Sequence, residues 1–140
     1  MNNAEFDIVI KRAVEALPAE FRSALDNISL FVEDYPDAEA LLDTGAPDLL
    51  GLYQGVPLPQ RTSGYGGGFY TMTLPDRITL YKKSIERYCR EEQADLKDQI
   101  TLTLLHEIGH YMGLSEGELR EIERSIEEKK NRASSQGTKS

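Results

Sequence analysis

The two histidines of this chain stand four residues apart, in the segment His106-Glu107-Ile108-Gly109-His110. Because an α-helix has about 3.6 residues per turn, side chains at this spacing share one face, where two imidazoles can bind one metal ion. Glu107 lies beside them, where a carboxylate can take a proton from a metal-bound water. This HExxH pattern predicts a zinc site equipped for hydrolysis.

A third ligand has to come from outside this turn of helix, because catalytic zinc takes three protein ligands and keeps the fourth position for water. Gly113 follows His110 by three residues and can adopt the left-handed conformation that ends a helix. Glu116 is the first carboxylate after that turn. The segment thus reads HExxHxxGxxE, and we hypothesise that Glu116 is the third ligand.

Each of these residues has a simpler interpretation. His106 and His110 could be surface residues, or core residues with satisfied hydrogen bonds. Glu107 could be a solvated residue, or it could contact the metal ligands without contacting the metal itself. Glu116 stands in the first turn of a helix, where the helix dipole favours an acid, and it could pair with Arg120 at i+4.

The sequence does not select a residue that would stabilise the oxyanion formed during hydrolysis. Four side chains could donate a hydrogen bond to it. They are Arg61, Tyr70, Tyr81 and Tyr111. No spacing argument favours one of them, so none is assigned.

Two amphipathic helices must position these residues. Residues 98–112 are predicted to form the first, with an apolar face made of Ile100, Leu104, Leu105, Ile108 and Met112. Gly109 inside it costs about 1 kcal/mol relative to alanine; the close approach of a neighbouring element would explain it, an accidental glycine being the alternative. The last helix begins near Ser115, which forms an S-x-x-E capping box with Glu118, and its buried stripe consists of Leu119, Ile122 and Ile126.

The rest of the chain alternates helical and extended patterns. A first helix carries Phe6 to Leu17, begins at Asn2 or Asn3 and ends at Pro18, and a short second helix carries Phe21 and Leu25. Strands are predicted at residues 28–33, 49–54, 69–74 and 77–81, loops at 34–48 and 55–68, and a helix at 84–90.

Length and composition predict a single domain over residues 1–130, followed by a polar, disordered tail at 131–140. The net charge of −8 argues against a nucleic-acid partner and gives no reason to expect attraction to anionic lipids. One cysteine, no secretory leader pattern and no long apolar stretch predict a cytoplasmic protein without a membrane span. We expect a monomer that acts on a peptide or protein substrate.

Several separated stretches, in the same order, resemble the minimal zincins, small bacterial zinc metallopeptidase-like domains related to the metzincins in their active-site pattern. These stretches are LPAEF from Leu17, NISLFVEDYP from Asn27, LLGLYQGVPLPQR from Leu49, LPDRITLYKKSIE from Leu74 and HEIGHYMGLSEGEL from His106. The resemblance covers about residues 6–122 and is far more specific than HExxH alone.

The resemblance implies a compact α+β zincin-like fold, in which a small mixed β-sheet packs against helices and one helix carries HExxH. It also implies zinc held by His106, His110 and Glu116. The family pattern usually has aspartate at the last of these positions, and often histidine where this chain has Tyr111.

The combined prediction is a zinc metalloendopeptidase, a hydrolase in which zinc polarises the scissile carbonyl and Glu107 is the general base. The alternative is a zinc-binding regulatory or interaction domain with little or no turnover. An extended peptide would be held by strand addition to an edge strand within residues 69–74.

Overall fold

The computed structural model of the chain describes residues 1–44, 49–58 and 76–137. Within these ranges the chain forms six α-helices and three β-strands. In chain order they are α1 (Asn3–Glu15), α2 (Ala19–Ala24), β1 (Ser29–Glu33), α3 (Ala38–Thr44), β2 (Gly51–Gln54), β3 (Arg77–Tyr81), α4 (Lys82–Glu92), α5 (Leu96–Met112) and α6 (Glu116–Gly137). This confirms the predicted α+β class.

The three described strands form a mixed sheet with β3 in the centre. β1 pairs with β3 in parallel, with Leu30 opposite Ile78. β2 pairs with β3 antiparallel, with Tyr53 opposite Ile78. The alternation of a strand directs Ile78 and Leu80 into the core, where both are fully buried. β2 contacts α5 directly, so the predicted active-site helix lies beside a sheet strand.

The core forms around α5, whose predicted apolar stripe is confirmed. Ile100, Leu104, Leu105 and Ile108 are all fully buried. They belong to one hydrophobic cluster with Phe6, Ile10 and Ala13 of α1, Phe21 of α2 and Ile85 of α4. Because α5 is buried along this face, the backbone that carries the histidines is fixed by packing on several sides.

Polar caps set the ends of the helices that matter here. Asn2 and Glu5 form a capping box at α1. Asp95 accepts the N–H of Asp98, which begins α5 at Leu96, two residues before the predicted start. The predicted capping box of the last helix is confirmed: Glu118 N–H donates to Ser115 Oγ at 3.1 Å, and Ser115 N–H donates to Glu118 Oε1 at 3.0 Å. Hydrogen bonds that the Glu118 carboxylate accepts from the backbone N–H and from the side chain of Ser115 hold the pKa of this carboxyl below its usual value.

The predicted loop at residues 34–48 is wrong in part, because α3 occupies Ala38–Thr44. Asp37 starts this helix by accepting the N–H of Ala40 at 2.8 Å, and the alanine and leucine that follow are good helix formers. Leu41 and Leu42 remain exposed. The helix therefore buries no apolar stripe, which is why the periodicity of the sequence does not reveal it. The predicted strand at 69–74 and most of the predicted loop at 55–68 lie outside the described residues.

The last helix is longer than its apolar pattern. Leu119 is buried, whereas Ile122 and Ile126 are half-buried against the core. The structure continues α6 to Gly137, through most of the segment for which the sequence predicts a disordered tail; the disorder of that segment stays a prediction. No helix in the described ranges is both long and apolar enough to cross a membrane.

Candidate metal centre

His106 and His110 lie together on the face of α5 that is turned away from the core. Their rings meet edge to face, with centroids 4.7 Å apart. Their side chains are 35% and 43% exposed, so these are not core histidines. The i, i+4 spacing on α5 therefore brings two imidazoles to the wall of a site open to solvent.

The turn after α5 brings a carboxylate back to these imidazoles. Gly113 ends α5 with φ 78° and ψ 24°, a left-handed conformation that glycine adopts without strain. Leu114 N–H donates to the Gly109 carbonyl at 2.9 Å, which closes the helix end. α6 then begins at Glu116, whose Oε1 lies 3.7 Å from His106 Nε2 and 3.8 Å from His110 Nε2.

In the structure the Glu116 carboxylate is not paired with Arg120, which was the alternative interpretation. Arg120 Nε donates to the backbone carbonyl of Glu116 at 3.4 Å. The Glu116 side chain is 63% exposed, and its carboxylate faces both histidine rings.

The donor atoms of this group suit a zinc ion. Zinc–nitrogen and zinc–oxygen bonds of about 2.0–2.2 Å in a tetrahedral site place ligand atoms roughly 3.4 Å apart. The two separations from Glu116 are within about 0.5 Å of that value. Ligand atoms of His106, Glu107 and His110 also lie within 4.8 Å of one another. The arrangement thus provides two imidazoles with one carboxylate, Glu116, near their Nε2 atoms and another, Glu107, near His110 Nδ1.

Glu107 differs from Glu116 in its surroundings, because it is 8% exposed and anchored to the sheet. Its Oε1 accepts the backbone N–H of Tyr53 in β2 at 2.9 Å and lies 3.4 Å from His110 Nδ1. Glu107 is therefore held behind the imidazole of His110, whereas Glu116 approaches the Nε2 atoms of both rings. The roles of Glu107 as base and of Glu116 as metal ligand stay predictions.

The same carboxylate changes the protonation of its neighbour. The hydrogen bond with Glu107 raises the pKa of His110 above its usual value; burial acts in the opposite direction, and the charges of Glu107 and Glu116 add to the increase. In the metal-free protein His110 therefore keeps its proton to higher pH than an ordinary imidazole. Since a metal binds only the neutral ring, acid should weaken metal binding here.

The contact between Glu107 and Tyr53 was not foreseen from the sequence, since a backbone donor has no signature in residue types. β2 is held in place by its own contacts: Tyr53 Oη donates to Asp76 at 2.6 Å, and the Tyr53 ring packs edge-on against Tyr111 with centroids 5.9 Å apart. Gly51 is the feature of the sequence that could have indicated this contact, because a glycine inside a strand often marks close approach of another element.

Two of the four residues considered as oxyanion donors can be placed. Tyr111 is buried against Tyr53. Tyr81 is buried at the end of β3, where burial, followed by the charges of Glu33 and Asp37, raises the pKa of its phenol. Arg61 and Tyr70 lie outside the described residues. The oxyanion donor stays unassigned.

A cavity of about 340 Å³ opens beside His106 and Glu107. Its remaining wall consists of Leu49, Leu50, Gly51, Tyr88, Gln99, Leu102, Thr103 and Glu123. Glu123 is a residue that the sequence reasoning missed, although its position seven residues after Glu116 places both on one face of α6. The cavity therefore lies between α5, α6 and the start of β2, with His106 in its wall.

Replacing Gly51 by alanine should separate β2 from α5. A Cβ there would lie 2.7 Å from Thr103 Cγ2 and 3.5 Å from Glu107 Cγ. We expect Gly51→Ala to lower the free energy of unfolding by about 1–3 kcal/mol, the usual cost of overpacking, measured by urea denaturation. Thr103→Ser removes the opposing methyl but keeps the hydroxyl that donates to the Gln99 carbonyl. The double variant should therefore regain part of the loss, and equal stabilities of single and double variants would contradict this packing.

Comparison with known proteins adds one finding to this geometry. A family model described as zincin-like metallopeptidase matches residues 25–126 of the chain. The matched segment runs from the end of α2 into α6, so it includes the sheet and the whole histidine site. No curated protein matches the chain significantly.

Proposed function

Since the chain belongs to the zincin-like metallopeptidase family, we propose that it is a zinc-dependent peptidase that hydrolyses peptide bonds with an activated water. The observation that carries the proposal is the convergence of the His106 and His110 Nε2 atoms on Glu116 Oε1, at 3.7 and 3.8 Å. A buried carboxylate, Glu107, lies beside them. Two imidazoles, one exposed acid and one buried, anchored acid are the parts that this reaction needs.

His106, His110 and Glu116 would hold the zinc. Bound there, zinc would act as a Lewis acid toward a peptide carbonyl and lower the pKa of a water molecule. A purely structural zinc site is less consistent with this chain, since such sites usually have four protein ligands rich in cysteine. The chain has a single cysteine, Cys89, and it is buried.

Glu107 would serve as the general base and later as the general acid. It would take a proton from the attacking water and deliver it to the leaving amine nitrogen. Both of its short contacts, with the Tyr53 N–H and with His110 Nδ1, involve Oε1. We therefore assign the proton transfer to Oε2, while Oε1 fixes the carboxylate against β2.

The substrate we propose is an extended peptide or protein segment. Among the described strands β2 pairs with β3 on one side only, and because its Tyr53 N–H already donates to Glu107 of α5, a peptide could pair only with the rest of that edge. A peptide could add to such a strand through main-chain hydrogen bonds. The alternative edge at residues 69–74 stays a prediction, as do the cytoplasmic location, the monomeric state and the absence of nucleic-acid partners.

The competing proposal is a zinc-binding regulatory domain without efficient turnover. The exposure of the site favours it, since Glu116 is 63% exposed, and water-exposed charges act weakly on a substrate. Peptide cleavage by wild type and by Glu107→Gln, compared at equal zinc occupancy, separates the two proposals.

The first test is metal content followed by cleavage. Mass spectrometry of the purified, untagged protein should find about one zinc per chain in wild type and none in His106→Ala, because catalytic zinc sites depend on each of their three ligands. Zinc-loaded wild type should then cleave members of a peptide library, stop when a chelator removes the metal and resume when zinc is restored. Absence of zinc after reconstitution and dialysis would refute the proposal. Zinc binding without cleavage would favour the regulatory domain.

A further inference from the structure

The imidazole of His106 lies between two carboxylates that both belong to α6. Glu116 Oε1 is 3.7 Å from Nε2, and Glu123 Oε1 is 3.8 Å from Nδ1. The two acids are seven residues apart, which is close to two helical turns, so they project from the same face of α6. Each ring nitrogen of His106 thus faces its own carboxylate.

One packing contact sets the position of both acids. Leu119 stands between them in sequence and is almost completely buried. It packs on Gly109 so closely that a Cβ at that glycine would lie 2.4 Å from Leu119 Cδ2. Because Glu116 and Glu123 lie about one turn before and after this contact, the docking of α6 on α5 fixes where both carboxylates can reach.

The exposure of the acids along α6 distinguishes Glu123 from its neighbours. Its side chain is 32% exposed, and it lines the cavity beside His106. Glu121, two residues earlier, is 71% exposed and pairs with Arg124 at 3.2 Å. Glu123 therefore points toward the site, while Glu121 belongs to the solvated side of the helix.

The other histidine shows the same arrangement with a different acid. His110 Nδ1 lies 3.4 Å from Glu107 Oε1. Histidines that bind a metal through one nitrogen usually donate the N–H of the other to a carboxylate, a carbonyl or water, and this partner sets the tautomer and the ring orientation. In this chain the Nδ1 atom of each histidine has a carboxylate nearby, and the Nε2 atoms are left for the ligand position.

We propose that Glu123 is a positioning residue that accepts the Nδ1–H of His106 and so directs the Nε2 lone pair toward the metal. This inference rests on the proposed function only in requiring that the site bind a metal. At 3.8 Å the two atoms are not hydrogen-bonded. A shift of roughly 1 Å in the long Glu123 side chain would bring them to hydrogen-bond distance.

The test compares zinc dissociation constants, measured by competition with a chromophoric chelator, in wild type, Glu123→Ala, Glu123→Gln and Glu121→Gln. Glu123→Ala should weaken zinc binding by about 10- to 100-fold, the usual effect of losing such a partner. Glu123→Gln should lose less, because its amide oxygen can still accept the Nδ1–H. Glu121→Gln, which removes an equal charge from the same helix, should stay within about twofold of wild type, as expected for a solvated surface acid.

A spectroscopic measurement separates positioning from a general structural effect. In ¹⁵N-labelled protein, long-range ¹H–¹⁵N correlation spectra report the tautomer of His106, with or without zinc. The Nδ1–H tautomer should dominate in wild type and lose population in Glu123→Ala, while thermal unfolding of the metal-free variants stays close to wild type.

Several results would overturn the proposal. One is a zinc dissociation constant for Glu123→Ala equal to that of Glu121→Gln. Another is an equal loss in Glu123→Gln and Glu123→Ala with an unchanged tautomer, which would show that Glu123 acts through charge alone. If wild type binds zinc but cleaves no peptide, the peptidase proposal fails, and the comparison of zinc dissociation constants still tests the role of Glu123. If wild type binds no zinc, both the zinc site and this inference fail, whatever the tautomer.

Discussion

Glu107→Gln should retain its zinc and hydrolyse peptides about 10²–10⁴ times more slowly than wild type, the range typical for loss of a general base. Glutamine has the size of glutamate, and its amide oxygen can still accept the Tyr53 N–H that holds residue 107 against β2. It cannot take up the proton of the attacking water. The three proposed zinc ligands are retained, and the amide oxygen can still accept the Nδ1–H of His110 in place of Glu107 Oε1, so the loss should appear mainly in the rate and not in the metal content at saturating zinc.

The measurement is peptide cleavage at equal zinc occupancy, with metal content determined by mass spectrometry. Glu121→Gln is the matched control, because it changes the same charge at an exposed position. A Glu107→Gln variant that holds full zinc and keeps more than about a tenth of wild-type activity would show that Glu107 is not the base, since even a modest general base contributes roughly 10²-fold.

The same variant has a second expected signature in the metal-free protein. The hydrogen bond that Glu107 accepts from the His110 imidazole is the largest of the effects that raise the pKa of His110. Glutamine removes both that charge-assisted bond and the charge, so the pKa of His110 should fall in an NMR titration. Protons should then compete with a metal for His110 only at lower pH than in wild type.

The part of the site that lies on one helix could be predicted from the sequence, because helical geometry alone relates His106, Glu107 and His110. Gly113 extended the prediction by one step, since a glycine at that spacing indicates a helix end. Glu116 followed as the first acid beyond the turn. The structure brings this acid to the two Nε2 atoms; its role as a ligand stays a prediction.

What the sequence could not provide is the contact between elements distant along the chain. Tyr53 lies 54 positions before Glu107 in the chain. It contacts Glu107 through its backbone N–H, a group that every residue but proline possesses. Helix α3 was missed for a different reason, since it exposes its leucines and so has no buried stripe to detect. Hydrophobic periodicity in a sequence reflects which side chains are buried. It therefore does not reveal a helix that buries few of them.

Gly109 lowers the stability of its own helix but allows a neighbouring helix to pack closely against it. Within α5 a glycine is less favourable than alanine by about 1 kcal/mol. The predicted reason, close approach of a neighbouring element, is confirmed: a Cβ at Gly109 would lie 2.4, 3.0 and 3.1 Å from three side-chain atoms of Leu119. Rotating one methyl group cannot relieve three such contacts, and the burial of Leu119 leaves it little room to move.

Gly109→Ala should therefore destabilise the protein despite the better helix propensity of alanine. Overpacking costs about 1–3 kcal/mol against a gain of about 1 kcal/mol, so the free energy of unfolding should fall by up to about 2 kcal/mol. Displacing α6 also moves Glu116 and Glu123 away from His106, and zinc should bind at least about tenfold more weakly. Urea denaturation and chelator competition measure the two effects.

Gly117→Ala is the matched control for that experiment, since only Ser115 Oγ, at 3.9 Å, lies near a Cβ at this exposed position in α6. This variant should be as stable as wild type or more stable by up to about 1 kcal/mol, with unchanged zinc affinity. If Gly109→Ala behaved like Gly117→Ala in both measurements, the docking of α6 through Leu119 would not control the site. If Gly109→Ala lost stability and zinc affinity together, the result would show that the contact between Gly109 and Leu119 fixes the position of α6, and with it Glu116, relative to the histidines of α5.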